Sequence, residues 1–138
     1  MKYYKVILIS TFLILLSTIV SQTKADNLSC LAEAVYFEAR SESFIAQLAV
    51  ANVILERVAS ERYANDVCSV VRQGRTWKGK PVRNKCHFSY WCDGKPETIA
   101  NVDAYAESVS AAELAMQGVI LAHTEGATHY HASYVVPY

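Results

Sequence analysis

The chain has 138 residues, with 13 Lys and Arg against 13 Asp and Glu and a sequence pI near 6.9. That balance excludes a nucleic-acid binder driven by phosphate neutralisation. The length suits one small domain with a modest core, and no internal repeat or low-complexity linker divides it.

Residues 1–5 carry two lysines, residues 6–20 (VILISTFLILLSTIV) carry no charge, and the polar run SQTKA follows. A charged start, an apolar stretch and small residues before a cut make a secretory signal. Thr23 and Ala25 fit the positions before a cut at Ala25–Asp26, with a cut nearer Ser21 as the alternative. The apolar run is shorter than the roughly 20 residues that span a bilayer, which favours removal over a retained anchor. The expected organisation is a signal peptide over 1–25 and one domain over 26–138, periplasmic or secreted, with no stable membrane span after signal removal. All four cysteines lie in the second part. An even count in a short exported chain suggests two disulfides. Three pairings are possible and the sequence does not choose; a local Cys86–Cys92 bridge would leave Cys30 with Cys68. No C-x-x-C pair is present, which argues against a structural zinc site.

In chain order, residues 28–41 have a helical pattern. Residues 44–60 are apolar almost all round, as in a central buried helix, with Ser41 or Ser43 to cap its start. Residues 64–73 suggest a shorter helix beginning near Asn65 or Asp66. Gly74, Gly79, Pro81, Gly94 and Pro96 break any long helix over 74–98, where CHFSYWC is aromatic enough for a strand or hairpin arm. Residues 99–122 are helical again, with Gly118 near the end. The tail HTEGATHYHASYVVPY is strand-like in content. The sum is an α+β, helix-rich single domain with a minor β element.

The first helix carries three acids in LAEAVYFEARSES. At about 100° per residue, Leu28, Leu31, Ala34, Val35 and Ala39 form one apolar stripe. Glu38 falls inside it, whereas Glu33, Tyr36 and Arg40 fall opposite and Glu33 reads as solvated charge. Glu42 sits where the helix ends. An ionised carboxylate on a buried stripe is costly unless paired. Either a base such as Arg57 neutralises Glu38, or Glu38 faces a cleft with a raised pKa, as a general acid for glycosidic cleavage requires.

Two later segments offer candidate contacts. In CHFSYWCDG, aromatic faces can stack on sugars and Ser89 or Asp93 can bond hydroxyls, while Phe88 and Tyr90 could equally fill the core. In THYHASY, His129 and His131 would share one face of a strand with Tyr130 on the other. Two such histidines could bind zinc, but no H-E-x-x-H is present and neither His87 nor His123 has recognisable ligand spacing to them.

Five blocks in order, CLAEAVYFEARSES, QLAVANVILERV, DVCSVV, CHFSYWCDG and GATHYHASYVVPY, resemble the SleB/CwlJ-type cell wall hydrolase family over nearly all of residues 30–138. The resemblance implies a lysozyme-like, helix-rich fold that cleaves peptidoglycan glycan strands. Characterised relatives include lytic transglycosylases with one catalytic glutamate, which corresponds here to Glu38, with Glu42 as the motif's second acid. It also implies a cleft position for the GATHYHA segment. Ser41 and Ala46 stand where the family usually has glycine, and Glu56 where asparagine is usual. The expected site is thus Glu38 as the catalytic group, with Glu42, Ser89, Tyr90, His129, Tyr130 and His131 as substrate contacts, and no metal or other cofactor. The rival enzyme is a zinc-dependent amidase using His129 and His131; a peptidoglycan-binding module without turnover is the rival from another class.

Overall fold

The computed structural model describes residues 23–130 of the chain. Helix α1 runs through residues 23–39. It stops where Glu42 N–H bonds back to the Ala39 carbonyl (2.9 Å), and Ser43 then caps the next helix by accepting from Ala46 N–H (3.4 Å). Helix α2, Phe44–Ala59, follows with almost no linker and has the bounds its apolar run predicts.

α1 is covered far more completely than its own pattern implies. Leu31, Ala34, Val35 and Ala39 are buried as the stripe predicts, but so are Ala32 beside it and Tyr36 on the opposite side, and Glu33 is half-buried. Tyr36 meets Tyr105 edge-on (centroids 5.8 Å apart), and its hydroxyl accepts from Asn101 N–H (3.1 Å). Phe37 stacks on Tyr90 (4.6 Å, 16°). Partners from distant sequence therefore close over the face that looked solvent-directed.

Helix α3, Val67–Val71, is shorter than expected and begins at Asp66, whose carboxylate accepts from Ser69 N–H (2.9 Å). A hydrogen bond with the Ser69 side chain, followed by this backbone bond, holds the Asp66 pKa down. The Cys30–Cys68 disulfide ties α3 to α1. Strands β1 (Gly74–Trp77) and β2 (Lys80–Cys86) form an antiparallel hairpin turned at Lys78 and Gly79, both at positive φ. Gly74 has no alternative: a Cβ there would lie 2.6 Å from the Cys86 Cα. The CHFSYWC segment departs from the strand expectation. Only Cys86 belongs to β2; Ser89–Cys92 is a 3₁₀ turn closed by the Cys86–Cys92 disulfide. A bridge across so short a span bends the chain, and Phe88 and Tyr90 turn inward.

Helix α4, Val102–Met116, is capped by Asn101 and ends just before Gly118, whose positive φ lets Gly118 and Val119 N–H bond the last turn. This halts the predicted helix well before residue 122. α4 packs on α2, where the Ser108 hydroxyl donates to Gln47 Oε1 (2.8 Å) inside the core. Residues 119–122 are not helical and residues 123–130 form no strand, both contrary to expectation. Side chains of α2 hold them instead. Asn52 donates to the Val119 carbonyl (2.9 Å) and accepts from Leu121 N–H (2.9 Å) and the Thr124 hydroxyl (3.0 Å). Arg57 Nε donates to the Thr128 carbonyl (2.8 Å). The result is the helix-rich α+β class with a two-stranded sheet. Among the described residues no helix is long and apolar enough to cross a membrane. Residues 1–22, most of the expected signal segment 1–25, and the tail 131–138, including His131, lie outside the described residues.

Two stability predictions follow from these ties. By loop entropy, replacing Cys30 and Cys68 together by alanine costs about 4 kcal/mol and replacing Cys86 and Cys92 about 2 kcal/mol, because the first bridge spans 38 residues and the second 6. Urea unfolding of the two double variants checks the order. Asn52→Ala strands buried partners in the 119–124 segment and costs about 2–3 kcal/mol; unfolding by urea measures that too, and a loss under 1 kcal/mol would show that Asn52 is not the anchor.

Candidate active site

An open groove of about 860 Å³ runs between the α1–α2 corner and the 119–130 loop. The end of α1 contributes Glu38, and the corner contributes Glu42 and Ser43. Successive turns of α2 lay down an apolar floor from Ile45 to Val53. The loop supplies the opposite wall with His123, Thr124, His129 and Tyr130. Short helix linkage and side-chain anchoring of the loop thus bring together residues nearly a hundred positions apart.

Glu38 is half-buried on this groove, and the Tyr130 hydroxyl donates to its Oε2 (3.0 Å). Burial pushes its pKa up. The Tyr130 hydrogen bond and, to a smaller degree, the positive charge of Arg57 oppose this, but burial prevails. Of the two readings of Glu38, the cleft-facing one matches this position. Arg57 spends Nε on the Thr128 carbonyl and lies over the Tyr63 and Phe88 rings (5.4 and 5.2 Å), while its Nη1 is buried without a hydrogen-bond partner. It supports the loop and lends charge rather than neutralising the acid. Tyr130 has its own pKa raised, first by burial and then by the Glu38 charge, so its hydroxyl remains a donor.

Of the expected contacts, Glu42, His129 and Tyr130 line the groove with Glu38. Ser89 and Tyr90 are not among its lining residues. Tyr90 is buried against Phe37 on the other side of α1. Its hydroxyl interacts with Glu33 but falls short of hydrogen-bond geometry, and burial, followed by the charges of Glu33 and Glu38, pushes its pKa up. Glu33 is not a freely solvated charge: burial, then repulsion from Glu97, raises its pKa. His123 joins the groove wall unforeseen; its spacing to the other histidines gives no hint of it. His87 is held neutral to lower pH by burial, then by Arg57 and His129, so it lies near the far end of the loop. Among the described residues, no group of three or more His, Cys, Asp or Glu is placed to hold a metal ion.

Comparison with known proteins places this geometry in a family. Residues 41–138 match the cell wall hydrolase family model. Two spore cortex-lytic enzymes of Bacillus cereus are each 40% identical over 52 residues, which is 38% of this chain and 20% of the relative. The matched stretch therefore spans about a fifth of those relatives' length. No solved structure gives a significant match. The family match begins just after Glu38, so the case for that residue rests on the groove and on its motif rather than on the matched span. Since the match takes in most of the chain and the opposed walls of the groove from Glu42 to Tyr130, the protein belongs to the cell wall hydrolase family of the SleB/CwlJ type.

Proposed function

We propose that this protein is exported through its N-terminal signal and cleaves peptidoglycan glycan strands between N-acetylmuramic acid and N-acetylglucosamine, as a lytic transglycosylase. The observation that carries the reading is Glu38: a half-buried carboxyl on an open groove, its pKa raised above the ordinary carboxylate value by burial. A carboxylic acid that keeps its proton towards neutral pH is the donor that a poor alkoxide leaving group needs. The apolar floor of α2 suits sugar faces and acetamido methyls, and Glu42, His123 and His129 offer polar contacts along the walls. Two disulfides fit an oxidising compartment outside the cytoplasm.

The proposed steps use Glu38 twice. Its proton goes to the glycosidic oxygen as the bond to the muramic C1 breaks, and the bonding pair leaves with the glucosamine 4-oxygen. C1 becomes oxocarbenium-like. The muramic 6-hydroxyl then attacks C1, and its proton returns to the Glu38 carboxylate. No water is consumed and no second carboxylate is required, whereas a hydrolytic course would use one, with Glu42 the groove's other acid. Tyr130 orients the Glu38 carboxyl throughout.

Mass spectrometry of digested sacculi tests the reaction. Fragments ending in 1,6-anhydromuramic acid are expected; reducing muramic ends would indicate hydrolysis, and freed stem peptides would overturn a glycosidase of either kind. Glu38→Gln lowers kcat by about a hundred- to ten-thousand-fold. It also raises the melting temperature at pH 7. A folded-state pKa above the unfolded value means that the ionised form is disfavoured in the fold; the gain therefore shrinks as pH falls towards the ordinary carboxylate value of about 4.3 and disappears below it.

Activity requires protonated Glu38, so it falls as pH rises through the raised pKa. Tyr130→Phe removes a hydrogen bond that favours the carboxylate form. The alkaline limb of the pH–rate profile moves to higher pH in this variant, and a limb that stays in place would show that another group sets it.

A further inference from the structure

Six of the chain's thirteen Lys and Arg residues fall between positions 67 and 92, and none of its thirteen Asp and Glu. A chain that is neutral in sum is therefore strongly polarised. Five of those six are on the β1–β2 hairpin, where Arg75, Lys78, Lys80, Arg83 and Lys85 are all exposed. Trp77 pairs with Lys80 across the tight turn and is 71% exposed. A shallow recess of about 590 Å³ is lined by Arg75, Trp77, Lys78, Lys80, Pro81 and Val82. None of these residues lines the Glu38 groove. The hairpin is firmly rooted: the Cys86–Cys92 disulfide and the His87 N–H to Gln73 carbonyl bond (2.9 Å) close its base, and Arg83 Nε donates to the Asp93 carbonyl (2.9 Å).

This arrangement does nothing for folding. Clustered like charges repel, and an exposed indole forgoes the burial that would repay it. We propose that the hairpin is a second contact for peptidoglycan, apart from the groove: Trp77 packs on a sugar face while Arg75, Lys78 and Lys80 pair with free carboxylates of the stem peptides. The inference rests on the peptidoglycan reading above. Cations alone would fit any polyanion, and an indole alone any apolar surface. A peptidoglycan strand presents both chemistries side by side, neutral pyranose faces and, on every muramic residue, a peptide bearing carboxylates. The same strand that enters the groove thus offers what the recess lacks.

Co-sedimentation with purified sacculi tests this, with Glu38→Gln as the parent so that the polymer is not consumed. Lys78→Glu with Lys80→Glu weakens binding about tenfold, Lys78→Arg with Lys80→Arg keeps it, and Trp77→Ala weakens it with a smaller salt dependence. High salt erases the difference between the parent and the reversed pair. Sacculi whose carboxyls have been amidated with carbodiimide bind the parent as poorly as intact sacculi bind the reversed pair. Sacculi stripped of phosphodiester-linked polymers by hydrofluoric acid bind it undiminished. Circular dichroism melting confirms that each variant is folded. The proposal is overturned if the reversed pair binds like the parent, if amidation changes nothing, if acid stripping abolishes binding, or if the hairpin acts instead on anionic phospholipid vesicles. Failure of the parent to bind sacculi, together with failure of the wild type to cleave them, would bring down the peptidoglycan reading itself; normal cleavage with indifferent hairpin variants would bring down this inference alone.

Discussion

Everything about the groove depends on polar side chains buried in an otherwise apolar helix. Gln47, Asn52 and Arg57 all lie on α2, and each reaches a different partner: Ser108 on α4, the 119–124 turn, and the Thr128 carbonyl. A buried amide or guanidinium costs several kcal/mol if left unpaired, so these groups specify where their partners must be. An apolar helix could pack in several rotations; one carrying three such groups has far fewer ways to satisfy them. The loop that walls the groove has no hydrogen-bonded ladder of its own. Its shape is dictated from α2.

The same economy governs Glu38. Placing it on the inner stripe of α1 costs the fold something, and Tyr130 and Arg57 offset only part of it. Were Arg57 free to form a full ion pair, the carboxyl would ionise readily and be unsuited to the proposed acid role. Arg57 is instead held by the Thr128 carbonyl and between two aromatic rings, near enough to matter and not near enough to win. The proposed chemistry and the loop anchor therefore share one residue.

Much of this was legible in the linear chain where the signal was local. The span of α2 to within a residue, a cap at Asn65 or Asp66 and the odd phase of Glu38 are written in periodicity and capping residues, whereas the helical pattern runs on past the real stop at Gly118. What escaped was non-local. A helical wheel cannot know that Tyr105 and Tyr90 will close over the far side of α1, so Tyr36 and Glu33 looked exposed. Aromatic and β-branched content in CHFSYWC and in the tail from His123 suggested strands, but a disulfide across six residues and the grip of α2 side chains on residues 123–130 outweighed that propensity. The groove's polar wall was partly found through the family motif, and His123 was not, because proximity made by a loop leaves no spacing to read.

The way α2 holds the loop has a consequence for how such a site can change. Asn52 and Arg57 mainly grip main-chain atoms, the Val119 and Thr128 carbonyls and the Leu121 amide, with Thr124 the one side chain bound. Main-chain handles are present whatever side chain is attached. The identities of residues 122, 123, 125 and 127 are therefore released from the duty of maintaining the loop's path. One wall of the groove is a rewritable surface on a fixed track, and its chemistry can change there by single substitutions without rebuilding the domain beneath.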